Sequence, residues 1–279
     1  MLIGRPLSHF DEATFDFVLG HEGYARRLYL DTRAIPTIGV GYALIMQSGE
    51  KLVVRPTLEQ DFAGIYSFSR ADRQILEKIA SALSTGDRVR ARALFEGRAP
   101  GLLDLVLSPD PLSEGRRLYE AILVDIVGAA IPRDIRDALA HTHELAALTS
   151  LAYNAPGLIG HNLKAAIRAG NRPAAWFEIA YRSNRAHNGT RSLGLLRRRM
   201  AEAEMFGLYA AGNVPRDSAE AQAVITFLDT HRDEMATYLS SVRRIGPRGT
   251  PSGPVFAPHE QAAVIASQAA PARALLDLA

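Results

Sequence analysis

His21-Glu-Gly-Tyr-Ala-Arg-Arg-Leu-Tyr-Leu-Asp31-Thr-Arg-Ala-Ile-Pro-Thr37-Ile-Gly-Val-Gly41-Tyr42 is the stretch on which the reading of this chain turns. Upstream of it, residues 11–22 predict an amphipathic helix: Asp11 is placed as the N-cap, and Phe10, Phe17, Val18 and His21 fall on one side at helical spacing. Gly23 ends that helix as a C′ glycine does. Residues 28–31 and 36–42 are short, rich in β-branched and aromatic side chains, and separated by a turn-like 32–35. That pattern predicts a hairpin, with Gly39 and Gly41 permitting close backbone approach.

The stretch carries three groups with usable chemistry. Glu22 falls at a helix C-terminus, where the negative end of the dipole and partial burial are expected to raise its pKa. A glutamate that keeps its proton near neutral pH can give it to a leaving oxygen. Asp31, at the wetter turn, is expected to stay ionised and to orient or activate a water. Thr37 offers a hydroxyl to hold that water. Two carboxyls in unlike environments meet the needs of glycosidic-bond hydrolysis, although a helix-end Glu and a turn Asp nine residues apart also arise for purely structural reasons.

Beyond the hairpin the strand signal almost vanishes. Thr57-Leu-Glu-Gln60 behind Pro56 reads as a capping-box start. Helices are expected near 70–84, 88–96, 113–131, 143–154, 157–169, 173–184 and 192–209. The segment 145–153 is apolar nearly all round and so predicts a helix at the centre of the fold. A single long helix over 217–244, a Pro/Gly-rich break over 246–258 and an Ala-rich helix over 259–277 complete the chain. The class is α+β, mostly helical.

Composition narrows the function classes. The chain has 279 residues, 47% hydrophobic and 22% charged, with a net charge of +2, which excludes disorder as the main state. No run approaches the ~20 apolar residues of a membrane span, and the N-terminus shows no Sec-type signal. Cysteine is absent, excluding thiol catalysis, disulfides and Cys-based zinc sites. Of 32 basic side chains only Lys51, Lys78 and Lys164 are lysines. Arg182, Arg185, Arg191, Arg197, Arg198 and Arg199 fall together with no acid among them, a pattern that suits an anionic polymer as well as composition bias. His141-Thr-His143 is a poor metal pair, because residues two apart do not share a helix face. No metal and no cofactor is expected. Trp176, beside Phe177 and Ile179, reads as core.

With these residues in view, Glu-Gly followed by Tyr-Leu-Asp-Thr and Pro-Thr-Ile-Gly-Val-Gly-Tyr resembles the active-site signature of phage-type lysozymes. These are the T-even phage endolysins and relatives in glycoside hydrolase family 24, which include lysozyme-like bacteriocins and secreted toxin domains. The family's Glu, Asp and Thr match Glu22, Asp31 and Thr37. Ala-Leu-Thr-Ser-Leu-Ala-Tyr-Asn154-Ala-Pro-Gly157 is similar to the family's buried helix and following turn. Gly194-Leu-Leu-Arg-Arg-Arg-Met-Ala-Glu202-Ala-Glu-Met-Phe206 is similar to its C-terminal arginine helix.

The resemblance implies a lysozyme-like two-lobed fold, with a small N-terminal hairpin lobe, a larger helical lobe and a cleft between them. It implies cleavage of the β-1,4 bond between N-acetylmuramic acid and N-acetylglucosamine. Arg198 best matches an arginine that faces the catalytic Glu, with Arg197 and Arg199 one residue away as alternatives. Tyr24, Tyr42 and Asn154 are candidates to contact sugar rings or amides, or else to pack the lobe interface. The match covers roughly 10–45 and 113–208, which suggests a catalytic domain over 1–209, enlarged at 45–113, and a helical extension over 210–279.

The leading expectation is an inverting peptidoglycan muramidase. The alternatives are a lytic transglycosylase and a non-catalytic module that binds wall or anionic polymer. The partners expected are peptidoglycan glycan strands and, for an effector, an immunity protein; nucleic acid is disfavoured. The chain is expected to be made in the cytoplasm and to reach the wall through a secretion machine or a holin. Its length and unmatched C-terminal helices favour a secreted effector over a phage endolysin.

Overall fold

The computed structural model describes residues 1–97, 100–184, 190–246 and 250–277. Helix makes up 61% of the structure and the sheets are small, so the class is α+β and mostly helical. The chain divides into two compact units, Phe15–Asp125 and Met1–Thr14 with Ile126–Ala279. Among the described residues no helix is long and apolar enough to cross a membrane.

The unit Phe15–Asp125 takes in most of α1 (Phe10–Glu22), whose Phe15 and Val18 are fully buried. β1 (Ala25–Leu30), β2 (Pro36–Gly39) and β3 (Tyr42–Ala43) then form an antiparallel sheet with β2 in the centre. A second hairpin follows, β4 (Ile45–Ser48) on β5 (Lys51–Val54), where no strand is expected from the sequence. Gly49, at φ +58°, makes its tight turn, a backbone state that glycine adopts freely. Next come α2 (Leu58–Asp61), α3 (Arg70–Ser84), α4 (Arg88–Glu96), α5 (Pro100–Asp104), a π-helical turn at Pro111–Gly115, and α6 (Arg116–Ala130).

Thr57 does not form the expected capping box. Its side chain makes no cap bond and instead donates to Oδ2 of Asp61 at 2.7 Å, and the helix stops after four residues. The capping box of this unit lies at Ser69 and Asp72, opening α3. Tyr42, Phe62, Phe68 and Tyr66 pack edge to face in series through its interior.

The other unit is built from α7 (Arg133–Ala138), α8 (His143–Asn154), α9 (His161–Ala169), α10 (Arg172–Phe177) with a π-helical continuation at Glu178–Arg182, β6 (Arg191–Ser192) and α11 (Leu193–Phe206). Then follow α12 (Ser218–Thr230), α13 (Arg232–Ser240), β7 (Val242–Ile245), β8 (Pro251–Pro254) and α14 (Pro258–Asp277). As expected, α8 is central: Ala146 through Ala152 are all buried.

The helix expected over 217–244 is broken. At His231 the ring nitrogen Nδ1 lies 2.9 Å from the Phe227 carbonyl and the ring stacks on Phe227, while Thr230 donates to the Thr226 carbonyl. Such side-chain bonds to the preceding turn compete with the helical ladder. The chain then turns into β7, which pairs parallel with β6 and antiparallel with β8.

The elements α12, α13 and α14 fall in the same compact unit as the helices α7–α11. Val224, Leu228, Met235, Tyr238, Ile265 and Ala269 share one continuous core with Leu148, Leu151, Trp176, Phe177 and Phe206. The first residues are tied to the same unit. Glu144, with no exposure, accepts from Arg5 N at 2.7 Å, Arg5 Nε at 3.0 Å and Arg172 Nη1 at 2.8 Å. The reason is physical: a buried carboxylate must be paired, and its partners come from the N-terminal segment and from the start of α10.

Candidate active site

Glu22 is the last residue of α1, and Gly23 follows at φ +73° with its N–H on the Leu19 carbonyl at 2.9 Å. That is the glycine C-cap expected from the sequence. The partial burial expected for Glu22 is not found, because its side chain is exposed. Helix termini need solvent or caps for their free carbonyls, and this end is open.

Asp31 follows β1 directly. Its Oδ1 accepts the backbone N–H groups of Arg33 and Ile35, each at 2.8 Å, and its own N–H donates to the Ile35 carbonyl at 3.0 Å. The carboxylate thereby closes a three-residue turn as an Asx cap. Ala34, at φ +65° and fully buried, takes the left-handed position of that turn. Oδ2 of Asp31 makes no hydrogen bond among the described residues.

Thr37 lies on the central strand, 4% exposed, and its hydroxyl donates to the Ile35 carbonyl at 3.0 Å. Its proton is committed, so what it can offer a water is an acceptor lone pair. Thr37 stands directly opposite Tyr29 in the β1–β2 register.

Tyr29 is a residue that spacing arguments passed over. Its phenol is pushed above the usual range by partial burial first, then by the charges of Glu22 and Asp31. Thr37 is its partner across the β1–β2 ladder. A tyrosine two residues before Asp31 was the available signal.

The other tyrosines pack. Tyr42 has no exposure, donates to Oδ2 of Asp61 at 2.6 Å and carries the Arg55 guanidinium over its ring. Burial first, then the Asp61 bond, hold its phenol far above the ordinary value. Its burial and these partners fit the packing reading. Tyr24 is half-buried, donates to the Ser108 carbonyl at 2.7 Å, and lies so close to Gly115 that a Cβ there would come within 2.6 Å of its ring.

In the helical unit, Arg198 and Arg199 are both buried and both engage Glu202, which has no exposure. Arg198 Nε donates to Oε1 at 3.1 Å and Nη2 to the Ser150 carbonyl at 3.3 Å. Arg199 Nε lies 2.9 Å from Oε2, and its Nη2 donates to Oδ1 of Asn154 at 3.1 Å. Ser150 donates to Oε1 at 2.7 Å. Burial raises the Glu202 carboxyl, against the pull of Arg199, Ser150 and Arg198. Asn154, at the exposed end of α8, is thus tied to the arginine helix.

Among the described residues, most of the arginine run is engaged by the protein itself. Arg182 is held by Glu178 and Glu234, and Arg191 bonds the Asn184 carbonyl and Ser241 while lying over Tyr238. Arg197 is exposed, and Arg185 lies outside the described residues. His141 is exposed with its ring edge on Phe10, and His143 titrates below its usual range because of burial and then Arg5. Among the described residues no group of three His, Cys, Asp or Glu is placed to hold a metal. Trp176 is core, as expected.

No family model, curated protein or solved structure matches this chain.

The site thus rests on its own geometry: an exposed carboxyl at a helix end, a carboxylate with one oxygen free of the turn it caps, a buried hydroxyl, and an open phenol. Such a set can protonate one oxygen and accept a proton from another.

Proposed function

We propose that the chain is a peptidoglycan muramidase acting by inversion. What supports this reading is the placement of Asp31 at the turn after β1 and of Thr37 on β2, directly after the helix that ends at Glu22. These are the three residues singled out by the resemblance to phage-type lysozymes.

In the proposed reaction Glu22 gives its proton to the glycosidic oxygen as the bond to the anomeric carbon breaks. A water adds to that carbon from the opposite face, and its proton passes to Oδ2 of Asp31. Thr37 accepts a hydrogen bond from the same water. Inversion needs carboxyl groups about 6.5–9.5 Å apart, with room for the water between sugar and base. Among the described residues, Arg182, Arg191, Arg198 and Arg199 are engaged by the protein itself, which weighs against the polymer-binding alternative. As an antibacterial effector or an endolysin, the protein would reach the wall through a secretion machine or a holin.

The test is mass spectrometry of fragments released from purified peptidoglycan by the wild type and by Glu22→Gln. Reducing muramic acid ends, absent with the variant, support hydrolysis with Glu22 as the acid. Anhydro ends would identify a lytic transglycosylase. No fragments from either protein would sink the enzymatic reading.

A further inference from the structure

Tyr29 lies on β1, two residues before Asp31 and the turn that Asp31 caps. Across the ladder it stands opposite Thr37. It is 41% exposed, whereas Tyr42 is sealed in the interior and the Tyr24 hydroxyl is taken by Ser108. Among the described residues the Tyr29 hydroxyl makes no hydrogen bond. An open aromatic ring with an uncommitted hydroxyl adds little to a core. It offers a great deal to a sugar, whose C–H faces pack on aromatic rings and whose oxygens accept from a phenol.

We propose that Tyr29 is a substrate-contact residue: its ring is the platform for a pyranose of the glycan strand, and its hydroxyl donates a hydrogen bond to an oxygen of that sugar. This rests on the muramidase reading. The phenol is suited to donate, because burial and the charges of Glu22 and Asp31 keep its proton in place above the ordinary range. The same contact explains how a strand with a buried Thr37 presents anything to a ligand. Tyr29 reaches out from the position where its cross-strand partner cannot.

The test compares Tyr29→Phe and Tyr29→Ala with the wild type on solubilised peptidoglycan. Phe keeps the platform and removes the donor; Ala removes both. Tyr29→Phe is expected to raise KM about three- to tenfold, the effect of one neutral hydrogen bond. Its kcat should stay within about twofold, as for loss of uniform binding. Tyr29→Ala raises KM further, and both variants melt with the wild type. Unchanged KM in both variants, or losses that track a lower thermal midpoint, overturn the proposal. A second arm needs no turnover: co-sedimentation of Glu22→Gln and of Glu22→Gln/Tyr29→Ala with insoluble peptidoglycan. Weaker binding by the double variant supports the contact, and equal binding overturns it. If the wild type releases no fragments while binding still depends on Tyr29, hydrolysis fails and the contact stands.

Discussion

Oδ1 of Asp31 accepts the backbone N–H of Ile35 at 2.8 Å, so the carboxylate proposed to take a proton from water also closes the turn that holds it. One oxygen is structural and the other is available for chemistry. The two duties separate by substitution.

Asp31→Asn keeps an oxygen that can accept from Arg33 and Ile35, whereas Asp31→Ala removes it. Asn is expected to fold with a thermal midpoint close to the wild type and to release no muramic acid ends. Ala is expected to lose the same activity and about 1–2 kcal/mol of stability, the usual cost of deleting such a cap. Wild-type fragment release by Asp31→Asn would show that Asp31 is not the base.

Thr37→Val tests the hydroxyl without breaking the strand, since valine keeps the β-branch. The Ile35 carbonyl retains its bond from the Asp31 N–H, so no acceptor is stranded and the stability cost is expected to stay near 1 kcal/mol or below. Turnover should fall with Val and persist with Thr37→Ser. Denaturant midpoints and fragment yields, measured on the same preparations, separate the two effects.

Glu202 neutralises two buried guanidinium groups. Glu202→Ala leaves Arg198 and Arg199 facing each other in the interior and is expected to cost about 3–5 kcal/mol. Ser150→Ala removes one donor from the same carboxylate and should cost about 1–3 kcal/mol. Urea unfolding reports both, and a Glu202→Ala protein as stable as the wild type would mean that the arginines have other support.

Glu234 titrates below its ordinary value of 4.5, chiefly because Arg182 donates to it. A carboxyl lowered by folding contributes stability that is present above its unfolded pKa and lost as pH falls through the folded value. Thermal melts of wild type and Glu234→Gln should therefore differ near neutral pH and converge as pH falls below about 4.5. The pair is half exposed, so the difference is small. A gap that widens in acid would contradict the assignment.

Much of the fold was legible in the sequence because its causes are local. Gly23 caps α1 since glycine alone tolerates that backbone state without strain, and α8 is central since its apolar residues surround the whole helix. The hairpin over Asp31 followed from a turn flanked by β-formers. The β4–β5 hairpin was missed because its strands are four residues each, too short to show alternation. The break at His231 was missed because side-chain bonds to carbonyls one turn back leave no mark on hydrophobic periodicity.

The sequence alone determined the α+β class and most helix positions, which depend on neighbours a few residues away, and it nominated Glu22, Asp31 and Thr37 as candidates. Tertiary structure decided what those and other polar groups face. Tyr24 meets Ser108, Tyr42 meets Asp61, Arg182 meets Glu234, and Tyr29 is left open. It also decided that α12, α13 and α14 share one core with the helices before them. Burial and charge pairing are properties of distant segments brought together, and no local period records which segment arrives.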